Sequence, residues 1–506
     1  MATTIIAYDL GTGGAKASLY DAGGACLAST FVAYETLYPD TGWHEQRPAD
    51  WWDAVVRSTR ELLAAGRAKS ADVACLAISG QSLAVIPVDS SGEPLRASIP
   101  IWSDTRATAP AEAFFGKVDR AAWYLTTGNG FPAECYSVFK IMWYRDHEPS
   151  MLAKARLVLG SKDWINLRLT GKAFTDFSYA SGTGVYDLAG WRYHPEFLRA
   201  SGLSESLFPE IVPSTRIVGT LTAAAADALG LPRGVQVACG GVDNSCMALG
   251  ARNTREGRVY TSLGSSSWIA VSSSKPVLDP AAKPYVFTHV VPGLFTSAVS
   301  IFAGGSSFRW IRDAVLGGED TAGYDAMAAM AAGSPVGANR LLFNPSLAGG
   351  SSQEPGPHIR GAFAGIDLRH TRADLVRAAM EGIAMNLGAV LEVLRRFVPL
   401  GGEMLMVGGG SRSRLWRQIF ADVYSMDCVK TNVDQDAASL GAAAVAAVGA
   451  GLWKDFGKVD EAHRVEDVRR PVPGNVEKYR RLAPAFELLR RQQAELGELL
   501  HGIELG

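Results

Sequence analysis

The sequence has few cysteines, and its six are scattered along the chain without a CxxC pair. A disulfide framework or a zinc site is therefore not expected, and reduced thiols are typical of a cytosolic chain. The sequence also lacks an apolar run of about eighteen residues, the length that a membrane-spanning helix needs. Its opening, MATTIIAYDLG, has neither the basic segment nor the long apolar core of a signal peptide. These absences predict a cytoplasmic protein without a membrane anchor.

An excess of one charge is lacking too, because 49 Lys and Arg nearly balance 51 Asp and Glu. A nucleic acid or a membrane surface as partner therefore receives no electrostatic support. What is present is a globular composition, with 47% apolar and 20% charged residues. Since 506 residues exceed one ordinary core, we expect two or three domains.

The two halves of the chain open with the same predicted pattern. In the first half an apolar run from Ile5 to Tyr8 ends at Asp9 and a glycine turn, and the alternating segment AKASLYD predicts a second strand. In the second half RVYTSLGSSSWIAVSSS shows strand, small-residue turn and strand in the same order. This repeat predicts an α/β protein of two related domains with a cleft between them.

The helix-like segment NSCMALGA closes the first half, so we place the domains at 1–252 and 253–470, with a helical tail at 471–506. A long helix is predicted from Thr371 to Phe397, and the spacing of Thr371 and Asp374 fits a capping box at its start. The segment MLMVGGGSRSRLWRQIFADVY predicts a strand, a turn and a helix. A basic helix from about Val476 to Leu500 is expected to end the chain.

The first glycine turn, with Gly11, Gly13 and Gly14, fits neither common nucleotide fingerprint. A dinucleotide-binding loop opens a helix, and a P-loop needs Gly-Lys-Ser/Thr before a helix, whereas these glycines lead into a strand. A hairpin remains, whose amides and Thr12 hydroxyl can surround phosphate oxygens. Asp9, at the strand end, can hold a hydrated Mg²⁺. The alternative is a hairpin turn without a ligand.

Two further turns favour a nucleotide site. Leu263-Gly264-Ser265-Ser266-Ser267 lies in the equivalent hairpin of the second half, so two phosphate-sized hairpins can act as a clamp across a cleft. Gly408-Gly409-Gly410-Ser411 allows a flat adenine to approach the backbone, because glycine has no Cβ. Each turn has low specificity alone, but the three together predict nucleotide binding.

Asp243 is the candidate catalytic base. The run GVQVACGGVDNSCMALGA places it after a buried strand and two glycines, where a carboxylate can accept the proton of an attacking hydroxyl. Such a base suits phosphoryl transfer, a reaction in which the protein's other contributions are to position the reactants and to stabilise charge. The alternative is that Asp243, Asn244 or Ser245 caps the helix that follows, and the two roles are compatible.

These residues resemble the FGGY family of carbohydrate kinases, which has a two-domain actin/hexokinase-like (ribonuclease H-like) fold. The resemblance runs from about Ile5 to Trp453. Its most specific part is the C-terminal signature, GAFAGI at 361–366 followed by DL at 374–375 and AAME at 378–381. The N-terminal signature, around Ser137, Lys140 and Trp143, is matched with departures at Cys135 and Tyr144. The segments GWHEQRPADWW, WSDTR and DN at 243–244 are most similar to xylulokinases.

The resemblance implies that ATP and Mg²⁺ serve the phosphorylation of a terminal sugar hydroxyl, D-xylulose giving D-xylulose 5-phosphate. It implies that Asp243 is the proton acceptor and that Asp9 holds magnesium through water. The implied substrate contacts are Ser82, Leu83, Trp102, Asp104 and Asn244. The implied nucleotide contacts are Thr12, Gly13, Gly14, Gly264, Ser265, Ser266, Gly409, Gly410 and Arg414. For Trp102 a core position is the alternative, and for Asp104 a helix cap. A homodimer is a further expectation from the family.

Two departures from the xylulokinase pattern affect the predicted substrate. The usual strand end Gln-Met-His-Gly reads Gln81-Ser82-Leu83-Ala84, so an imidazole is missing from the sugar site, and such a loss can change specificity by orders of magnitude. The usual Gly-Glu-Arg-x-Pro loop is replaced by AGGSSQEP at 348–355. Ribulose, glycerol, erythritol, a deoxysugar and a 3-keto sugar are therefore alternative acceptors. Two further alternatives are an actin-like nucleotide-binding protein without sugar chemistry and a catalytically impaired homologue.

Overall fold

A computed structural model describes residues 3–318, 323–351 and 353–504. In the first half of the chain, long strands and helices are interrupted by excursions made of short elements. The strands are β1 (Thr4–Leu10), β2 (Gly14–Asp21), β3 (Cys26–Ala33), β4 (Glu45–Gln46), β5 (Val73–Gly80), β6 (Ile86–Val88), β7 (Ile99–Pro100), β8 (Leu157–Leu159), β9 (Phe174–Asp176), β10 (Tyr186–Asp187), β11 (Arg192–Tyr193), β12 (Glu210–Val212), β13 (Ile217–Thr220), β14 (Gln236–Ala238) and β15 (Gly241–Val242). The helices are α1 (Pro48–Ala64), α2 (Thr108–Phe115), α3 (Arg120–Thr127), α4 (Ser137–His147), α5 (Pro149–Leu152), α6 (Ser161–Thr170), α7 (Phe177–Ala180), α8 (Pro195–Ser201), α9 (Ala223–Leu229) and α10 (Asp243–Gly250).

The second half has longer elements. Its strands are β16 (Val259–Leu263), β17 (Ser267–Ser273), β18 (Tyr285–Thr288), β19 (Phe295–Ile301), β20 (Leu342–Asn344), β21 (Ala362–Ala364), β22 (Glu403–Val407), β23 (Asp427–Thr431) and β24 (Val465–Arg469). Its helices are α11 (Gly305–Trp310), α12 (Tyr324–Ala332), α13 (Arg372–Arg395), α14 (Arg414–Tyr424), α15 (Ala437–Gly449), α16 (Lys458–Ala462) and α17 (Pro473–His501).

Each half is built around one large sheet, and the two sheets share their topology. The order of the first is β13-β14-β5-β1-β2-β3, with β15 also paired to β5, and the order of the second is β18-β19-β17-β16-β22-β23-β24. In each sheet an antiparallel hairpin, β1–β2 or β16–β17, lies beside a parallel strand, β5 or β22. The prediction of two related α/β units is therefore confirmed, and the repeat is one of strand order.

Local sequence explains where the main helices begin and which face they bury. Pro48 begins α1, where a missing backbone N–H costs little, and Trp51, Val55 and Leu62 form its buried face. The predicted capping box of α13 is present, because Asp374 Oδ2 accepts the backbone N–H of Thr371 at 2.8 Å. This helix ends at Arg395, two residues before the predicted end, and α17 begins at Pro473, three residues before its predicted start.

The two halves meet where α10 and α15 cross. A Cβ on Gly250 would lie 1.7 Å from the carbonyl oxygen of Ala437, and one on Gly441 would lie 1.9 Å from that of Cys246. Only glycine permits this approach. The helix α15 also packs against β1 and β5 of the first sheet, so the division at residue 252 stays a prediction.

None of the helices within the described ranges combines the length and the apolar character that crossing a bilayer requires.

Candidate active site

Asp9 lies near the end of β1 and Asp243 directly after β15, the two strands that flank β5 in the first sheet. Ser79 of β5 stands opposite Asp9 of β1 on one side and opposite Gly241 of β15 on the other. The three strands are parallel, so their carboxyl ends reach the same edge of the sheet, where α/β proteins bind ligands. Ser79 Oγ donates a hydrogen bond of 2.8 Å to Asp9 Oδ1, and Asp243 follows directly after β15. Sheet topology therefore brings together two acids that are distant in the sequence.

Both acids hold their protons more strongly than free carboxyl groups. The pKa of Asp243 is raised to about 7, first by burial and then by the charge of Asp9, while hydrogen bonds from Asn244 act in the opposite direction. The pKa of Asp9 is also raised, mainly by burial, although Ser79 and Lys16 lower it. A carboxyl group with a pKa near neutrality is suited to proton transfer at physiological pH.

Asn244 orients the carboxylate of Asp243. Its backbone N–H and its Nδ2 donate to Asp243 Oδ1 at 2.7 and 2.9 Å. The helix α10 begins at Asp243, and the residue before it, Val242, has no side-chain capping bond. Ser245 Oγ donates instead to the carbonyl oxygen of Thr288 at 2.9 Å. The Asp243 carboxylate therefore accepts a free backbone N–H of the first turn of α10, so the capping alternative remains and is compatible with the role as base.

The two predicted phosphate-binding turns occupy equivalent hairpins of the two sheets. The β1–β2 turn is closed by the Gly11 N–H, which donates to the Gly14 carbonyl at 3.0 Å, and it exposes Thr12 and Gly13. The turn at 264–266 joins β16 and β17 and exposes its two serines. Gly14 itself is buried, because a Cβ there would lie 2.4 Å from the ring of Phe31. Packing against Phe31 is therefore sufficient to explain why position 14 is a glycine.

A cavity of about 620 Å³ in the second half collects several predicted nucleotide residues. Gly264 and Ser265 line it from the hairpin, and Gly409 and Gly410 line it from the third turn. Its volume is in the usual range for a small-molecule site, roughly 300–1,000 Å³. Sequence analysis missed several other side chains of its wall, namely Phe308, Arg309, Tyr324, Met380, Arg412, Trp416 and Gln435.

Arg309 is the missed residue with the clearest polar contact, because its Nη2 donates to Ser265 Oγ at 3.0 Å. No motif marks Arg309 in the sequence, since it lies in a short helix after β19. Arg414, which was predicted to contact the nucleotide, is exposed at the first position of α14, and Arg412 lines the cavity instead. A nucleotide contact by Arg414 stays a prediction.

The predicted sugar contacts lie on the loops that follow β5 and β7. Trp102 is 38% exposed, which excludes a core position, and its Nε1 donates to Thr12 Oγ1 at 2.9 Å. Ser82 is partly exposed, whereas Leu83 is 3% exposed and has a left-handed φ of 64°. The Leu83 side chain offers a ligand little surface, so its substrate contact stays a prediction.

Asp104 is fully buried and already paired. Its carboxylate accepts two hydrogen bonds from the Arg106 guanidinium, at 2.9 and 2.8 Å, and one from the His44 backbone N–H at 2.7 Å. The helix α2 begins only at Thr108 and has no side-chain cap, so Asp104 is not its cap. The carboxylate shapes the loop that carries Trp102, and direct contact with the sugar stays a prediction.

Lys140 holds the two sugar-side loops together, and sequence analysis assigned it no role beyond its place in the N-terminal signature. The residue is fully buried in α4, and its Nζ donates to the carbonyl oxygens of Leu83 at 3.1 Å and Ile101 at 2.5 Å. Burial lowers the pKa of Lys140 to about 8. One ammonium therefore links the loop after β5 to the loop after β7.

The substituted loop at 348–355 lines a second cavity, although Ser352 lies outside the described residues. Gly350 and Ser351 form part of the wall of a space of about 490 Å³ between the two halves. Phe131 and Tyr285 lie in the same wall, with ring centroids 4.6 Å apart. The change in this loop therefore alters the surface where the halves face each other.

The site combines two acids at the ends of parallel strands, two equivalent hairpins and a cavity of nucleotide size. These features define a two-domain phosphotransferase. Sequence models of the FGGY family of carbohydrate kinases match residues 4–250 with the N-terminal domain and residues 259–450 with the C-terminal domain. The chain belongs to this family. It is thus a phosphotransferase with an alcohol group as acceptor, and the predicted family, fold class and enzyme class are confirmed.

Individual relatives match over nearly the full length. The chain is 28% identical over 493 residues to the xylulose kinase of Staphylococcus epidermidis, covering 97% of each chain. The crystal structure of xylulose kinase from Rhodospirillum rubrum is similar with a TM-score of 0.88 and 30% identity, over 98% of this chain and 100% of that one. A gluconate kinase from Lactobacillus acidophilus has a TM-score of 0.89 at 24% identity, over 98% and 99% of the two chains, which shows the shared fold alone.

Proposed function

We propose that this chain transfers the terminal phosphate of ATP to a terminal hydroxyl of a ketopentose, with D-xylulose as the first candidate. The observation that carries the proposal is Asp243, an acid with a pKa raised to about 7 that lies beside Asp9 at the ends of parallel strands. The choice of sugar is supported by relatives named xylulose kinase, such as the one that covers 97% of the chain.

In this proposal Asp243 accepts the proton of the attacking hydroxyl. Asn244 holds the carboxylate through Oδ1, so the other oxygen can receive that proton. A positioned base of this kind typically contributes roughly 10²–10⁴ in rate. Trp102 and Ser82 supply the exposed surface that holds the sugar beside the base.

The phosphates of ATP lie between the turn at 11–14 and the turn at 264–266, whose backbone N–H groups and hydroxyls donate to their oxygens. Asp9 fits a hydrated Mg²⁺, because it is a carboxylate oxygen donor next to an exposed turn and Mg²⁺ usually keeps several of its waters. When bound, the ion neutralises the charge that develops on the transferred phosphate.

Closure of the two halves completes the site. The sugar side belongs to the first half and the cavity for the adenosine to the second, so the reactants meet only when the halves approach each other. Closure also removes water, which competes with the sugar for the phosphate. A homodimer and a cytoplasmic location stay predictions.

A coupled assay of ADP release tests the proposal, with ketopentoses, polyols and sugar acids compared at one ATP concentration. We expect D-xylulose to give the highest kcat/KM. A higher value with a polyol or another sugar would reject D-xylulose and retain the kinase, as the missing imidazole at 82–83 allows. ATP hydrolysis that no acceptor stimulates would reject the sugar kinase itself.

The assignment of the base is tested with Asp243→Ala. We expect the sugar-dependent rate to fall by about 10²–10⁴ while nucleotide binding persists. Asp53→Ala is the matched control, because Asp53 is an exposed acid on α1. Near-normal turnover of a folded Asp243→Ala protein would contradict the assignment.

A further inference from the structure

The segment GWHEQRPADWW enters the site described so far only through the His44 backbone, although it lies beside both ligand regions. Its residues Glu45 and Gln46 form β4, which pairs antiparallel with β7. The loop that carries Trp102 begins directly after β7. At its start, the Ile101 N–H donates to the His44 carbonyl at 3.0 Å. The segment therefore forms one border of the sugar loop.

Gln46 has all its hydrogen-bonding positions filled although its exposure is 0%. Its Nε2 donates to the carbonyl oxygen of Thr12 at 2.7 Å and to Thr36 Oγ1 at 2.9 Å. Its Oε1 accepts from Trp51 Nε1 at 3.0 Å and from Gln81 Nε2 at 2.8 Å. A primary amide has two donor hydrogens and two acceptor lone pairs, so these four bonds satisfy it.

The orientation of this amide follows from its partners. The indole nitrogen of Trp51 can only donate, so the atom facing it must be the oxygen of Gln46. The carbonyl of Thr12 can only accept, so the atom facing it must be the nitrogen. A reversed amide would place an N–H against the Trp51 N–H and an oxygen against the Thr12 carbonyl oxygen.

Gln46 joins two elements where their backbone pairing ends. The parallel ladder of β1 and β5 stops at Leu10 and Gly80, with one further bond from the Gln81 N–H to the Leu10 carbonyl at 2.8 Å. Beyond that point β1 continues into the phosphate-binding turn and β5 continues into the loop that carries Ser82 and Leu83. The Gln46 amide spans the gap, because it contacts Thr12 on one side and Gln81 on the other.

Thr12 is also held from the sugar side. Trp102 Nε1 donates to Thr12 Oγ1 at 2.9 Å, while Gln46 binds the carbonyl of the same residue. The loop after β7 therefore contacts Thr12 through Trp102, and the loop after β5 is linked to the same residue through Gln81 and Gln46. A buried, fully bonded amide resists displacement, since separating its partners leaves polar groups without hydrogen bonds.

We propose that Gln46 is a positioning residue that couples the sugar site to the phosphate-binding turn, so that a bound sugar strengthens the binding of the nucleotide. This inference rests on the proposed function. In that function Gln46 contacts neither the sugar nor the nucleotide. The residue acts through Thr12 and Gln81, and its loss separates two binding events that the intact enzyme links.

Binding linkage tests the inference. The dissociation constant of a non-hydrolysable ATP analogue with Mg²⁺ is measured by calorimetry, without and with saturating D-xylulose. For the unaltered chain we expect the sugar to lower this constant by roughly 5- to 150-fold, the usual range of coupling between two sites. For Gln46→Met and Gln46→Glu we expect the factor to fall to about 2 or less, because both variants lack the amide N–H donors.

Asn386→Leu is the control for a general loss of stability. Asn386 is a buried amide of α13 whose Nδ2 donates to Glu354 Oε1 at 3.0 Å, and it lines neither cavity. We expect it to lower the melting temperature and to preserve the coupling factor. Should Gln46→Met not fold, the comparison is made with Gln46→Glu, which keeps the shape of the side chain.

The outcomes separate this inference from the proposed function. If the unaltered chain phosphorylates D-xylulose but a folded Gln46 variant keeps the full coupling factor, Gln46 is not the coupling residue and the function stands. A chain that phosphorylates the sugar without any coupling overturns the inference in the same way. If no acceptor is phosphorylated, the proposed function fails first, and the inference fails with it.

Discussion

Asp9 lies across the end of β5 from Asp243, whose pKa is raised first by burial and then by the charge of Asp9, at the point where three parallel strands stop together. The two carboxylates repel each other at neutral pH, and burial adds to the cost of ionising Asp243. Such a site is strained electrostatically until a proton or a cation enters it. This strain has consequences for stability as well as for activity.

The first prediction concerns stability and pH. The pKa of Asp243 is about 7 in the folded chain, whereas an aspartate of an unfolded chain has a pKa near about 3.9. Between these values the folded state binds a proton that the unfolded state releases, so ionisation of Asp243 lowers stability as the pH rises toward 7. Asp243→Asn removes that penalty. In the absence of ligands we expect this variant to melt higher than the unaltered chain at about pH 8, with the difference shrinking as the pH falls below about 7.

Thermal unfolding at several pH values checks this expectation. Asp53→Asn is the control, because Asp53 is exposed and we expect its effect on the melting temperature to stay small throughout. A difference between Asp243→Asn and the unaltered chain that did not change with pH would show that Asp243 ionises normally.

The second prediction concerns the cavity of the second half. Gly409 lines this cavity, and a Cβ added to it meets no other described atom within 4 Å. Gly409→Val is therefore expected to fold normally while its side chain fills space in the cavity. We expect the KM for ATP to rise at least about tenfold, a loss of about 1.4 kcal/mol, with little change in the KM for the sugar.

Gly402→Val is the matched control, because Gly402 is also open within 4 Å but lies before β22, outside the cavity wall. Equal effects of the two substitutions on the KM for ATP would argue that the cavity does not hold the nucleotide.

The third prediction concerns Lys140, whose ammonium binds the carbonyls of Leu83 and Ile101. Lys140→Met keeps the apolar stem and removes both bonds, so the two sugar-side loops lose their link. A hydrogen bond to a charged group contributes about 1.5–3 kcal/mol, and we expect the KM for the sugar to rise by roughly 10- to 100-fold. The KM for ATP is expected to change much less. Steady-state kinetics with each substrate varied in turn provide the measurement.

Lys154→Met serves as the comparison, because Lys154 is exposed. A Lys140→Met enzyme with unchanged sugar kinetics would show that the loops keep their positions without the ammonium.

The fourth prediction concerns the crossing of α10 and α15. A methyl group at Gly250 would lie 1.7 Å from a backbone carbonyl, which cannot rotate away as a side chain can. Gly250→Ala is therefore expected to destabilise the fold by about 1–3 kcal/mol or more, and to displace the helix that begins with Asp243. Gly474→Ala, near the start of α17 with no other described atom within 4 Å of an added Cβ, is expected to be neutral or slightly stabilising. Chemical denaturation measures both, and a Gly250→Ala protein as stable as the unaltered chain would contradict the close crossing.

Local patterns were sufficient for the elements whose residues are adjacent in the sequence. The hairpins β1–β2 and β16–β17 follow from apolar runs separated by small residues, and the start of α13 follows from Thr371 and Asp374. The candidate role of Asp243 could also be predicted from the sequence, because a strand, two glycines and an acid follow one another.

Residues that act through partners distant in the sequence could not be predicted from local patterns. Gln46, Lys140 and Arg309 bind groups contributed by other segments of the chain, and no local spacing reveals such partners. The burial of Asp104 was missed for the same reason, since Arg106 and the His44 backbone donate hydrogen bonds to its carboxylate only in the folded loop.

The sequence by itself determined the two-domain class, the three small-residue turns and the acid at position 243, because each is encoded by neighbouring residues. Tertiary structure alone decided that Asp9 and Asp243 share one edge of a sheet and that Gln46 spans β1 and β5 beyond their pairing. It also decided which of the predicted side chains face open space. The physical reason is that a carboxyl pKa and the neighbours of a buried amide depend on three-dimensional proximity, which strand order and helix crossing create.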